Sequence, residues 1–153
     1  PVLTIHALVT VSLLIVIAVY DLYHHIIPNT IVYAFNALAL ASLLWAAAPG
    51  TAFLAGVAFL AFFGLLWGIS KGKWMGLGDA KLALGIGWLL GAVLGIFALL
   101  VAFWAGAAVG LFLLALGGSR WSVKSQIPFG PFLVLGTFVA LLYGKEIIAA
   151  TFG

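Results

Sequence analysis

Long apolar runs constrain this chain more than any other feature of its sequence. From Ala80 to Leu116 a single charged residue, Lys81, interrupts the apolar sequence. A helix over this stretch would measure about 55 Å, close to two crossings of a hydrocarbon core about 30 Å thick. The 153-residue chain is 67% hydrophobic, with six Lys and Arg and three Asp and Glu residues. Because ordinary soluble domains are about a quarter charged, this composition excludes a water-soluble globule.

Turn and charge signals divide the chain into six predicted helices. The sequence therefore predicts an all-α, polytopic integral membrane protein, a bundle of about six transmembrane helices in a single domain over residues 1–153. A reversal near Gly91 or Gly95 divides the longest stretch, Pro49-Gly50 predicts a turn, and Pro28 is expected in the first turn of the second helix. The remaining helices are expected at 1–20, 30–48, 51–70 and 131–150, with a polar loop at 117–130.

The placement of the cations predicts the orientation. Six crossings place five of them on one side of the membrane, on loops or helix starts: Lys71, Lys73, Lys81, Arg120 and Lys124. The positive-inside rule makes that side of the plasma (inner) membrane cytoplasmic, with both termini outside. The cations are too few and too scattered to follow a nucleic acid. Without cysteine, a disulfide framework and a zinc ribbon are excluded.

Asp21 and Asp79 are the residues that point to chemistry, because both are predicted at the cytoplasmic ends of apolar helices. Taken singly, each has a structural interpretation, Asp21 as a helix stop and Asp79 as a helix N-cap. At 4 Å and an effective dielectric near 20, however, two carboxylates would repel by about 4 kcal/mol, so one shared proton is the expected resting state. Such a pair combines general base and general acid, which predicts aspartic proteolysis.

Three motifs surround these aspartates. They are Asp21 followed by Ile27-Pro28-Asn29, Gly-Leu-Gly-Asp-Ala-Lys-Leu over 76–82, and Ile-Pro-Phe-Gly-Pro-Phe-Leu over 127–133. In this order they resemble the motifs of the type IV prepilin peptidases. The resemblance implies a membrane-embedded aspartic endopeptidase that cleaves the basic leader from prepilins or pseudopilins at the cytoplasmic face, with Asp21 and Asp79 as the catalytic pair. Because it has no cysteine, the chain resembles the short, protease-only branch of this family, which lacks the methylase region.

Several neighbours of the aspartates are expected to shape the site. Gly76 and Gly78 can adopt positive φ and so let substrate backbone approach Asp79. Lys81 could attract that carboxylate or meet an acidic residue of the substrate, and a snorkelling topology signal is the alternative.

Polar and proline-rich segments supply the other candidates. Asn29, Tyr33 and Asn36 share a helical face, either as a polar wall beside the site or as partners in helix–helix hydrogen bonds. Pro28 and Asn29 are expected to bind substrate or to shape the site. The loop with Pro128 and Gly130 is expected to shape the substrate entrance, and a rigid turn is the alternative for that loop.

The sequence predicts no metal and no cofactor, and it leaves the oligomeric state open. His24 and His25 lack a cluster of further ligands, so they are interpreted as interfacial polar residues, with no metal and no cofactor. Small-residue spacings predict close helix packing within the chain and leave the oligomeric state open. They are Gly64-x-x-x-Gly68, Gly87-x-x-x-Gly91-x-x-x-Gly95 and Gly106-x-x-x-Gly110.

Two other functions stay open at this point. Tyr20-Asp21 and the Gly-x-Gly-Asp ending at Asp79 also resemble presenilin and signal peptide peptidase, although those proteases are much longer and carry a Pro-Ala-Leu motif that is missing here. A small transporter or membrane scaffold would use the aspartates to carry protons or to fix packing. The expected partners are the lipid bilayer and a prepilin or pseudopilin.

Overall fold

The chain folds into α-helices joined by short connections. The computed structural model describes residues 1–116 and 127–152. Within these ranges there are five α-helices and one short 3₁₀ turn, Leu43–Trp45. The helices are α1 (Val2–His24), α2 (Asn29–Ser42), α3 (Pro49–Ser70), α4 (Leu77–Leu116) and α5 (Gly130–Phe152). No strand occurs in the described ranges, and the predicted all-α class is confirmed.

The lengths and surfaces of the helices are those of an integral membrane protein. In the part of the chain that the structure describes, three helices, α1, α3 and α4, are long and apolar enough to cross a membrane, and shorter apolar helices cover Asn29–Trp45 and Gly130–Gly144. Large apolar side chains such as Leu44 and Trp104 stay exposed on the outside of the bundle. Phe35 and Phe63 are fully buried in its core. An apolar exterior around an apolar core suits a lipid environment, where water does not penalise exposed hydrocarbon.

Helix α4 reverses direction at Gly91. This residue has φ 73° and ψ −172°, a conformation that is essentially restricted to glycine. Along α4, the residue numbers of its contacts on α3 decrease up to Gly91 and increase after it. Gly56 faces Gly87, Ala52 faces Gly91 and Phe59 faces Gly95. The first half of α4 is therefore antiparallel to α3 and the second half is parallel to it. The reversal predicted near Gly91 or Gly95 is confirmed, at Gly91.

Helix α1 ends later than predicted. It continues one turn beyond Asp21 to His24, and His25 ends it in the left-handed conformation with φ 54°. Asp21 is therefore not a helix stop. Pro28 is the N-cap of α2 rather than a residue of its first turn, because its φ of −64° and ψ of 129° are extended.

Other predicted boundaries also need correction. Helix α2 stops at Ser42 and tightens into the 3₁₀ turn instead of reaching residue 48. Pro49 does not form a turn but begins α3, because its missing N–H is not needed at a helix N-terminus. Helix α4 begins at Leu77, three residues before the predicted start. Of the loop predicted at 117–130, residues 117–126, with Arg120 and Lys124, lie outside the described residues.

The helix ends that carry the three motifs meet at one end of the bundle. The side chain of Asp21 in α1 reaches the first residue of α5, Gly130. Ile27, just before α2, contacts both Gly130 and Gly78 in the first turn of α4. Helix α1 packs chiefly on α5 and α2, whereas α4 packs on α3, α5 and α2. Helices α1, α2, α4 and α5 thus bring the motifs together at this end, although the motifs are far apart in sequence.

Candidate active site

Asp21 lies at the junction between α1 and α5. Its side chain is only 4% exposed, and its Oδ2 accepts a hydrogen bond of 3.0 Å from the backbone N–H of Gly130. The first N–H groups of a helix have no partner within the helix, and they carry its partial positive charge. Asp21 of α1 therefore accepts a hydrogen bond from the N-terminus of α5. The sequence spacing did not indicate this role.

Asp79 lies in the first turn of α4. Helix α4 begins at Leu77, so Asp79 is its third residue and not the predicted N-cap. Its Oδ2 accepts a hydrogen bond of 3.1 Å from the backbone N–H of Gly76, the reciprocal half of a capping box. Its Oδ1 is buried and receives no hydrogen bond from the described residues. One oxygen of Asp79 is thus held by the backbone, whereas the other is buried without a hydrogen bond from the described residues.

The two carboxyl groups lie at the same end of the bundle. The charge of Asp21 opposes a negative charge on Asp79, whereas the interaction of His25 with Asp21 has the opposite sign. Each carboxyl group has one oxygen oriented by a backbone N–H, from Gly130 for Asp21 and from Gly76 for Asp79. Two neighbouring carboxyl groups are the residue types that combined general acid and general base catalysis requires.

Ile27 packs between the parts of the chain that orient the two carboxyl groups. A Cβ at Gly78 would lie 2.8 Å from the Cβ of Ile27, and a Cβ at Gly130 would lie 3.3 Å from its Cδ1. Ile27 was not among the residues predicted for the site. The only available signal was its place in the Ile27-Pro28-Asn29 motif.

The glycines of the second motif do not act through positive φ as predicted. In the described residues, positive φ occurs at the glycines Gly72 and Gly91 and not at Gly76 or Gly78. Gly78 instead permits the close approach of Ile27. A Cβ at Gly76 would meet only ordinary contacts, the nearest at 3.6 Å from Oδ2 of Asp79. The prediction failed because α4 starts early enough to give Gly78 helical geometry.

Gly130 is the part of the third motif that reaches the site. A Cβ there would lie 2.5 Å from Oδ2 of Asp21, so only glycine allows the observed hydrogen bond. Phe129, the residue before Gly130, makes aromatic contacts that hold this segment. Its ring centre lies 5.0 Å from that of Phe103 and 6.2 Å from that of Phe63. Pro128 is partly buried in the same segment.

Lys81 does not reach the carboxylates. Its Nζ donates a hydrogen bond of 2.7 Å to Oδ1 of Asn29 and lies 5.0 Å from the centre of the Tyr33 ring. Asn36 Nδ2 donates a hydrogen bond of 3.1 Å to the backbone carbonyl of Lys81. The polar face of α2 is therefore a helix–helix contact with α4, one of the two predicted alternatives.

The small-residue spacings have different outcomes. Gly87 packs directly on the Gly56 backbone, and Gly95 packs on Phe59, which agrees with close helix approach. A Cβ at Gly64 or at Gly68 would meet nothing within 4 Å. Close packing at this pair was therefore predicted wrongly, because that face of α3 points away from the bundle.

The histidines beside Asp21 make local contacts. His24 stacks on Tyr20 with ring centres 4.1 Å apart, and its Nδ1 lies 3.2 Å from the Tyr20 carbonyl oxygen. Among the described residues there is no group of three His, Asp or Glu side chains that could hold a metal ion.

Comparison with known proteins identifies the family. The sequence profile of the type IV leader peptidase family matches residues 8–111, a range that includes Asp21 and Asp79. The chain is 36% identical over 146 residues to the prepilin leader peptidase/N-methyltransferase of Bacillus subtilis (strain 168). This match covers 94% of the chain and 57% of the relative, so the chain spans little more than half of that protein's length. No solved structure matches the chain. The family profile and the curated relative together establish that the chain belongs to the type IV leader peptidase family.

Proposed function

We propose that this chain is an aspartic endopeptidase of the membrane that cleaves the leader from type IV prepilins or pseudopilins. The observation that carries the proposal is the meeting of Asp21 and Asp79, from different helices, at one end of an apolar bundle. Family membership and the prepilin leader peptidase among the relatives supply the substrate class. The third acidic residue, Glu146, lies near the far end of α5 and has no part in this pair.

The proposed reaction uses the two carboxyl groups in opposite protonation states. The ionised carboxylate removes a proton from water while the water oxygen attacks the scissile carbonyl carbon. The protonated partner donates its proton to the carbonyl oxygen, which gives a tetrahedral diol. Collapse of the diol breaks the C–N bond: one hydroxyl of the diol gives its proton to the ionised carboxylate, and the leaving nitrogen takes a proton from the other acid. Water is thus consumed, and the two acids return to one shared proton.

Backbone hydrogen bonds support this chemistry by fixing the two acids before substrate binds. Because Gly130 and Gly76 each hold one carboxylate oxygen, the acids need little reorganisation during the reaction. Activity should be bell-shaped in pH, since it requires one proton on the pair and is lost when both acids are ionised or both are protonated.

The substrate is proposed to reach the site from the cytoplasm. Lys71 and Lys73 lie in the connection between α3 and α4, at the end of the bundle that carries the two aspartates. By the positive-inside rule this end faces the cytoplasm in the plasma membrane, with the termini on the other side. The leader of a prepilin would then meet the site where its apolar helix enters the bilayer.

The test compares matched acid-to-amide variants in proteoliposomes. Asp21→Asn and Asp79→Asn should each lower prepilin cleavage about 10³-fold, since each removes an acid–base group. Glu146→Gln removes the same charge away from the site and should cleave at the wild-type rate. Full processing by either aspartate variant would remove the pair from the mechanism. Proton transport by a wild type that cleaves no peptide would support the transporter instead.

A further inference from the structure

The positions of the two aspartates depend on intermediate helices. Asp21 belongs to α1, which packs chiefly on α5 and α2, and Asp79 belongs to α4, which packs on α3, α5 and α2. Within the described residues, α5 and α2 are the helices that pack closely on both of them. On the α5 side the link is the hydrogen bond from Gly130 to Asp21. The corresponding link on the α2 side has to lie between α2 and the first turns of α4.

Lys81 provides this second link. Its ammonium group binds the side chain of Asn29 at 2.7 Å and lies over the ring of Tyr33. Its backbone carbonyl accepts the hydrogen bond from Asn36, which is only 8% exposed. Three side chains of α2, one helical turn apart in succession, thus bind a single residue of α4.

The helical geometry places this contact behind Asp79. Residues two positions apart on an α-helix point about 200° from each other, so Lys81 and Asp79 project from opposite sides of α4. The cation is therefore directed away from the carboxylates, and its contacts hold the helix rather than the acid. Since α2 begins five residues after the end of α1, the same contacts also connect α4 to the helix that carries Asp21.

We propose that Lys81 is a positioning residue, which ties the start of α4 to Asn29 and Tyr33 and thereby sets the place of Asp79 relative to Asp21. This inference rests on the proposed peptidase function. A lysine that only set the membrane topology would not need a hydrogen-bond acceptor. Lys81 has one in Asn29, at 2.7 Å, and also contacts the ring of Tyr33. The link acts on the geometry of the reacting groups, so its loss should lower kcat and leave KM nearly unchanged.

The experiment measures kcat and KM for prepilin cleavage in proteoliposomes. Lys81→Met removes the ammonium group and keeps an apolar stem, and Asn29→Leu removes its acceptor. We expect about a tenfold loss of kcat in each, with KM within about twofold of wild type. The double variant should be no slower than the slower single variant, because both changes break one contact. Asn29→Asp restores an acceptor and should regain at least about threefold over Asn29→Leu.

Matched controls separate this proposal from its alternatives. Lys73→Met removes a cation from the same end of the bundle and should leave kcat unchanged. An equal loss in Lys73→Met, losses that multiply in the double variant, or a change in KM alone would each overturn the positioning role. Wild-type kcat in Asn29→Leu would do the same, even if Lys81→Met failed to fold. An inactive wild type would instead refute the proposed function, so the two failures are distinguishable.

Discussion

Replacing Gly130 with alanine is the sharpest test of how the third motif serves the site. The added Cβ would lie 2.5 Å from Oδ2 of Asp21 and 3.2 Å from its Cγ, whereas ordinary contacts begin at 3.4 Å. The carboxylate must therefore retreat by about 1 Å, enough displacement to cost about 100-fold in rate. Gly130 does not have positive φ, so alanine adds no backbone strain there, and a loss of rate would come from the contact with Asp21.

The hydrogen bond from Gly130 to Asp21 predicts a loss of rate of similar size. A bond to a charged group contributes about 1.5–3 kcal/mol, and each 1.36 kcal/mol corresponds to a factor of ten in rate. Weakening the bond of 3.0 Å from Gly130 to Asp21 should thus lower the rate about 10- to 100-fold. Both arguments predict a kcat/KM for Gly130→Ala that is lower by one to two orders of magnitude.

The assay is prepilin cleavage by purified variants in proteoliposomes, with Gly106→Ala as the matched control. Gly106 lies on α4 opposite the start of α5, and its added Cβ would meet the nearest atom, in Phe132, at an ordinary 3.5 Å. We expect wild-type rates for Gly106→Ala. Wild-type cleavage by Gly130→Ala would refute a role for the contact between residue 130 and Asp21. An equal loss in both variants would show that general packing, rather than this contact, causes the loss of rate.

Two further predictions concern glycines of α4 and its start. Gly78→Ala should lower cleavage at least tenfold more than Gly76→Ala in the same assay, because only the former collides with Ile27; equal rates would contradict this. Gly91→Ala should destabilise the protein by about 1–3 kcal/mol, since alanine is strained at φ 73° and ψ −172°. Thermal unfolding in detergent would measure this loss, and an unchanged midpoint would show that α4 reverses without help from glycine.

Much of the fold was predictable from composition and spacing. Apolar runs about 20 residues long indicate a membrane protein because lipid requires each spanning segment to satisfy its own backbone. The reversal of α4 was predictable for a similar reason, since its apolar stretch is too long for one crossing. Asp21 and Asp79 were selected because charged groups are rare in such a sequence and therefore stand out. The orientation in the membrane stays a prediction.

The helix ends were predicted less well. Asp21 and Pro49 were interpreted as breaks, yet α1 continues past the aspartate and α3 begins at the proline. A helix ends where its last carbonyl groups find other partners, and His25 supplies this end of α1 by adopting positive φ. Such conformations depend on the surrounding packing, which local sequence does not reveal.

Composition and the order of residues are enough to predict an apolar helical bundle with two acids near helix ends. The long-range contacts around those acids depend on how the helices pack: the N–H of Gly130 binds Asp21, and Asn29 binds the lysine behind Asp79. Helix formation in an apolar chain follows from local burial and backbone hydrogen bonding. The contact from Asp21 to Gly130 joins residues 109 positions apart, and it forms only because helices α1 and α5 pack side by side.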